Sequence, residues 1–126
     1  MVLAQFIINA SNNNSLFAIG VSGKCSIRVL GVQYHDTAAA GVSRIIQVRS
    51  DSLYFPYSPA RHLTIVSNNA GQMTFDNSRN EYHLKDVSLN SQVLLNVVDY
   101  ATGTTPTNFQ WCVLTLDIEK INEEFN

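Results

Sequence analysis

The chain has few charged residues, few cysteines and no long apolar run. Of its 126 residues 14% are charged and 45% apolar, and only two are cysteines. No apolar run approaches the roughly 20 residues of a membrane-spanning helix, and two cysteines are too few for a disulfide framework or a complete zinc site. We therefore expect one soluble domain over residues 1–126 with no membrane span. We expect Cys25 and Cys112 to be buried free thiols.

Basic residues are scarce as well. Eight lysines and arginines stand against ten acidic residues, for a net charge of −2, whereas a nucleic-acid binder usually carries a basic patch. We therefore expect no direct nucleic-acid contact. The first 62 residues hold five basic and two acidic residues, and the remainder hold three basic and eight acidic ones. Strands from the two halves would balance these charges if they lie side by side; otherwise the halves offer complementary faces to another copy.

The sequence contains no recognisable catalytic constellation. It has neither a Gly-x-Ser-x-Gly nucleophile elbow nor a glycine-rich phosphate loop. His35, His62 and His83 are far apart in sequence and could converge with Asp36 or Asp86 on a metal, as in cupin-like enzymes, but such enzymes usually place two histidines close together in one strand. We predict no enzymatic activity, no catalytic residue, no metal site and no cofactor, and keep a cupin-like metalloenzyme as an alternative.

Apolar and polar residues alternate along residues 109–121, near the end of the chain. Three apolar residues are interleaved there with three polar ones: Leu114, Leu116 and Ile118 with Thr115, Asp117 and Glu119. A period of two is typical of a strand with one buried face. We predict that the apolar residues lie in the core and that the acidic ones are solvated or paired with lysine. A long closing strand of this kind requires a sheet to join.

Strand-like runs with turn signals between them recur along the chain. We predict eight of them: Val2 to Asn9, Ser15 to Gly20, Cys25 to His35, Ser43 to Ser50, His62 to Ser67, Gln72 to Asp76, Gln92 to Tyr100 and Phe109 to Ile121. The stretch from Tyr82 to Leu89 is ambiguous between a strand continuation and a crossover. Asn68 to Gly71 predicts a hairpin turn. The apolar face switches at Gly31, which predicts a β-bulge.

Eight short strands with almost no helix signal predict an all-β fold. The count best fits an eight-stranded antiparallel β-sandwich of jelly-roll type, in which the first and last strands pair. An immunoglobulin-like sandwich is the alternative, although Trp111 directly precedes Cys112 and so departs from the cysteine–tryptophan–cysteine pattern of that fold.

Two places predict a binding surface. Trp111 and Val113 point outward if Leu114 points into the core, and a large outward aromatic residue usually has a partner; a second bulge that turns Trp111 inward is the alternative. The loop at residues 51–61 carries three aromatic residues and two prolines, which would either bind a partner or cover the end of the sandwich. The interface candidates are Trp111, Val113, Tyr54, Phe55, Tyr57 and Arg61.

The texture of several strands resembles the small single-jelly-roll proteins of DNA virus particles. The resemblance is carried by residues 46–53 leading into the Pro/Tyr loop, by residues 92–99 and by residues 113–119. It implies a non-enzymatic virion structural protein, such as a penton, minor capsid, cement or spike-base subunit, that forms rings or trimers. Its partners would be copies of itself and other capsid proteins.

The same resemblance implies a location in the virion, assembled in the host cytoplasm. Residues 1–9 lack the positive flank and apolar length of a signal peptide, so we expect no secretion by that route. A carbohydrate- or receptor-binding β-sandwich module, with a glycan or receptor as its partner, is the alternative function. It would use the aromatic loop.

Overall fold

The computed structural model describes residues 2–37, 43–53, 62–69, 74–76 and 83–121, with only the backbone at residues 43, 62, 66–69, 74–76 and 83–86. The described chain is all strand and turn, as predicted. The strands are β1 (Val2–Asn9), β2 (Ser15–Asp36), β3 (Ser43–Ser50), β4 (His62–Asn69), β5 (Thr74–Asp76), β6 (His83–Asp99) and β7 (Phe109–Lys120).

The strands form one curled antiparallel sheet. Its order is β1-β7-β2-β6-β3-β4, and β5 pairs with β2 beside this path. The first and last strands pair without interruption, from Val2 opposite Ile118 to Asn9 opposite Trp111. The closing strand β7 therefore lies between β1 and β2, which explains why so long a strand near the end of the chain carries an uninterrupted buried face.

Strands β2 and β6 are much longer than predicted. The predicted runs Ser15 to Gly20 and Cys25 to His35 form the continuous 22-residue β2, and the ambiguous stretch joins the next run as the 17-residue β6. Both strands bend at the same place, because β2 shifts register between Ala18 and Ser22 opposite Ser91 of β6, which has a φ of 67°. On β2 the matching residue is Gly20, whose φ of 73° is a left-handed conformation that glycine adopts readily.

The two halves of each long strand have different neighbours. The first half of β2 pairs with the second half of β6, which in turn pairs with β3. The second half of β2 lies between β7 on one side and the first half of β6 followed by β5 on the other. The pairings therefore fall into two sets, one containing β1 and β7 and the other containing β3 and β4.

Residues of both sets contribute to one hydrophobic core. Leu114, Leu116 and Ile118 have no exposed surface, which confirms the predicted inner face of β7. The rings of Phe6 on β1 and Phe17 on β2 meet edge to face across the two sets, with centroids 6.0 Å apart. Burial of a side chain of this size contributes about 1.5–3 kcal/mol.

The predicted bulge at Gly31 is confirmed. Val29 lies opposite Leu116 and Gly31 lies opposite Thr115, so that Leu30 has no residue across from it on β7. Because of this extra residue Val29 and Val32 both point into the core. The switch of the apolar face in the sequence is therefore caused by one extra residue in β2 at this bulge.

The predicted hairpin after β4 is wrong. Strand β4 continues through Asn69, and β5 pairs with β2, with Phe75 opposite Gln33. Strand β2 extends beyond its last residue paired with β6, Arg28, and β5 supplies hydrogen-bond partners for that further stretch of edge. Residues 70–73 lie outside the described chain.

Candidate functional site: the outer face of β1, β7 and β2

Strands β1, β7 and the second half of β2 present a shared face directed away from the core, which we call the outer face. The register aligns its residues in rows across the three strands. The rows are Leu3, Asp117 and Arg28; Gln5, Thr115 and Gly31; Ile7, Val113 and Gln33; and Asn9, Trp111 and His35.

Three side chains of β1 are exposed on the outer face, and two of them, Leu3 and Ile7, are apolar. Leu3 is 65% exposed and Ile7 is 59% exposed. Ile7 lies directly opposite Val113, which is partly exposed on β7. Isolated exposed apolar residues are common in single domains, whereas adjacent ones on a sheet face make that face a candidate contact surface.

Trp111 lies on the outer face, partly exposed, and its ring is tilted against that of His35, with centroids 5.7 Å apart. A second bulge does occur in β7, because His35 lies opposite Trp111 and Asp36 lies opposite Phe109, with Gln110 skipped. The bulge turns Phe109 into the core and leaves Trp111 outside. The nitrogen Nδ1 of His35 is buried and has no hydrogen-bond partner among the described residues.

Asp117 was expected to be solvated or paired with lysine, and this is wrong. It is only 7% exposed, and its Oδ2 accepts a hydrogen bond from Nη2 of Arg28 at 2.9 Å. The guanidinium remains partly in water, with 42% of the Arg28 side chain exposed. The pair joins the basic first half of the sequence to its acidic second half, so the uneven charge is balanced locally at this position.

A second aspartate–arginine pair lies in the core at the end of the sheet. The hydroxyl of Tyr34 donates to Oδ2 of Asp36 at 2.7 Å, and Nη2 of Arg44 contacts the same oxygen. The Tyr34 ring stacks on Phe109 at 5.7 Å. Burial, and then the hydrogen bond to Asp36, raise the pKa of Tyr34. The contact between Arg44 and Asp36 connects β3 to β2. Asp36 has no exposed surface, so its carboxylate is not accessible to a substrate.

The two cysteines are buried and free, as predicted. Desolvation raises the pKa of the Cys112 thiol to about 12, and it also raises the pKa of Cys25, with Lys120 acting in the opposite direction. A thiol that stays protonated and buried is a weak nucleophile. Neither cysteine has the setting of a catalytic residue.

No protein-family model, curated protein or solved structure gives a significant match to this chain.

His35, the one histidine whose side chain the structure describes, does not approach the carboxylate of Asp36. Along β2 the side chains of His35 and Asp36 point to opposite faces, since Asp36 is bound to Tyr34 in the core while His35 lies against Trp111. Among the described side chains no three His, Cys, Asp or Glu residues are close enough to hold a metal. The side chains of His62, His83 and Asp86 lie outside the described set.

Of the predicted interface residues, the structure describes Trp111 and Val113 and places them together on the outer face. Tyr54, Phe55, Tyr57 and Arg61 lie outside the described residues. Sequence reasoning missed Leu3 and Ile7, although their alternation with Ala4, Phe6 and Ile8 was visible and only the choice of inner face was needed to place them outside. The described chain also has no helix of the length and hydropathy required to span a bilayer.

Proposed function

We propose that this protein is a non-enzymatic structural subunit that works by self-association and by contacts to neighbouring proteins of a larger particle. It would act as the small single-jelly-roll proteins of DNA virus particles do, in a penton, minor capsid, cement or spike-base role. The observation that carries the proposal is the outer face, where Leu3, Ile7, Val113 and Trp111 present apolar surface on adjacent strands.

The low charge of the chain supports the same proposal. A chain of which only 14% of the residues are charged has little electrostatic repulsion between copies. A stable interface typically buries about 800 Å² per partner around a few aromatic or arginine anchors. Trp111 supplies such an anchor, and the loop at residues 51–61 supplies candidates for others. The assembly we propose is a cyclic homo-oligomer of three or five copies, or a monomer that oligomerises on docking into a shell.

The finer fold in this proposal is a jelly roll. If β2 and β6 are each divided at their shared bend, eight strand segments result besides β5, and they fall into two sets of four. The first and last strands pair, as a double Greek key requires. Nuclear Overhauser contacts between the rings of Phe6 and Phe17, which belong to different sets, test whether the sets pack face to face.

Light-scattering mass and incorporation into particles test the function. Trp111→Ser and the double variant Tyr54→Ser with Tyr57→Ser should stay folded and lose assembly, because each removes an aromatic anchor. Leu16→Ser is the matched control, since Leu16 is as exposed as Ile7 but lies on the first half of β2, in the other set. Unchanged assembly in both anchor variants would remove the support for self-association through these residues.

A carbohydrate- or receptor-binding module is the second candidate. It is favoured by the setting of Trp111, which lies between Asn9 on β1 and His35 on β2 and whose ring contacts that of His35. Sugars stack on aromatic rings and need hydrogen-bonding groups beside them. Glycan-array binding that disappears in Trp111→Ser, together with an unchanged mass, would favour this candidate over assembly. Elemental analysis of the purified protein tests the cupin-like alternative.

A further inference from the structure

Strand β1 is an edge of the sheet. Among the described residues it pairs with β7 on one side and with no strand on the other. An edge strand presents unpaired backbone donors and acceptors, and native proteins usually protect such edges with charged residues, proline or bulges. The eight residues of β1 contain no charged residue, no proline and no glycine, and their register with β7 has no shift.

The residues of β1 are also arranged symmetrically about Gln5. On the outer face Leu3 and Ile7 lie on either side of it, and both are well exposed. On the inner face Ala4 and Phe6 are its neighbours, one small and one large. A strand that is symmetric in this way can pair antiparallel with a copy of itself, because a two-fold axis at Gln5 brings Leu3 of each copy opposite Ile7 of the other.

We propose that two copies of this chain associate through their β1 strands, which pair antiparallel about a two-fold axis at Gln5 and join the two sheets into one. The contact pairs Leu3 with Ile7 twice on the outer face and Ala4 with Phe6 twice on the inner face. Cross-strand apolar pairs of this kind stabilise antiparallel sheets. The absence of charge on β1 means that no repulsion opposes its approach to a second copy.

This inference rests on the proposed function, since both involve self-association, but it uses a different contact. The proposed ring contact requires Trp111, whereas the two-fold contact requires the backbone edge of β1 with Leu3, Gln5 and Ile7. Leu3 and Ile7 belong to both surfaces, so neither is used to separate them.

A charge swap at Gln5 tests the two-fold contact. Gln5→Lys places two ammonium groups against each other at the axis, and Gln5→Glu places two carboxylates there. Each variant alone should weaken the dimer about 100-fold or more, because like charges brought together in an interface cost several kcal/mol. An equimolar mixture of the two variants should restore association, since the axis would then hold one charge of each sign.

The fold should tolerate these changes. Gln5 is exposed, and its one described side-chain contact is a 3.4 Å hydrogen bond to Thr115. The matched controls are Gln92→Lys and Gln92→Glu, which place the same charges on an exposed glutamine of β6 that lies opposite Ala18 of β2, away from β1. Sedimentation or light scattering at several concentrations gives the mass, and circular dichroism checks folding.

A cross-link provides a second measurement that does not depend on tight binding. Gln5→Cys should form a disulfide between copies on mild oxidation, because directly opposed residues of antiparallel strands have Cα separations within the range a disulfide needs. Gln92→Cys should not. The native thiols are buried and should contribute little background.

Three outcomes would overturn the inference. The first is a wild type that forms no dimers together with a Gln5→Cys variant that forms no cross-links. The second is Gln5→Lys and Gln5→Glu variants that dimerise as the wild type does, and the third is a mixture of the two that does not recover association. Loss of large assemblies in Trp111→Ser with the Gln5→Cys cross-link retained supports both contacts. Retained assemblies in Trp111→Ser, with the charge-swap result as expected, would reject the ring contact and keep the two-fold contact.

Discussion

The inner and outer residues of β7 alternate along one strand, but their burial has different causes. The inner residues Leu114, Leu116 and Ile118 have no exposed surface, and hydropathy alone is enough to place them. On the outer face, Asp117 is nearly buried beside Arg28 while Val113 is partly exposed beside Ile7. Neighbouring strands in a particular register create these outer environments. Burial on the inner face therefore follows from the hydropathy of β7 alone, whereas the surroundings of the outer residues depend on β1 and β2.

The largest effect should come from the inner face. Leu116→Ala should lower the free energy of unfolding by about 2–5 kcal/mol, because it removes a fully buried side chain and leaves a cavity. Thr115→Ala, one residue away on the outer face, should cost less than about 0.5 kcal/mol. Reversible urea denaturation measures both. A Leu116→Ala loss below one kcal/mol would contradict the assignment of the faces.

The inner face should also make the protein sensitive to alkaline pH. The Cys112 thiol has a pKa of about 12 in the folded protein against an ordinary value of 9.0. Above pH 9 the unfolded chain loses this proton while the folded protein keeps it, so stability is intact below pH 9 and falls as pH rises toward 12. The slope for this one group approaches about 1.4 kcal/mol per pH unit.

Urea denaturation under reducing conditions between pH 8 and 10.5 measures that slope. Cys112→Ala should show a shallower decline than the wild type over this range, whatever its stability at pH 8. The remaining decline should come from other groups with a raised pKa, such as Tyr34, which both proteins retain. Identical declines in the two proteins would mean that Cys112 does not stay protonated in the folded state.

A smaller effect is expected from the outer face. Arg28→Met leaves the Asp117 carboxylate nearly buried without its partner, and it should cost about 1–3 kcal/mol. The lower part of this range applies because solvent screens the partly exposed guanidinium. Adding Asp117→Leu should recover part of the loss, since two apolar residues leave no unpaired charge. If the double variant is less stable than Arg28→Met, the pair is not the source of the effect.

The places where sequence reasoning succeeded depend on local sequence patterns. The buried face of β7 and the bulge at Gly31 follow from local alternation of apolar and polar residues. The bounds of β1 follow from an apolar run that is closed by the turn residues Asn12, Asn13 and Asn14. The part of the chain that the structure describes does not contain eight separate strands, because β2 and β6 continue through the bend at Gly20 and Ser91, where turn signals predicted a break. Such a bend interrupts a local pattern in the sequence without ending the strand.

The candidate site was predictable only in part. Trp111 could be placed on the outer face from its position relative to Leu114, yet its neighbours His35 and Asn9 come from strands far away in sequence. The pairing of Asp36 with Arg44 and Tyr34 was missed altogether. No local pattern indicates which arginine will reach a buried carboxylate.

The amino-acid sequence by itself determined the all-β class, the single core and the inner face of each well-patterned strand, because a period of two in hydropathy selects one side of a strand for burial. Only the tertiary structure decided that β7 also pairs with β2, that β5 joins β2 and that Arg28 meets Asp117. Those outcomes depend on which backbone edges meet. Strands within a fold pair through main-chain N–H and C=O groups, and only proline lacks the N–H. The side-chain pattern of one strand therefore does not determine which strand of the fold lies beside it.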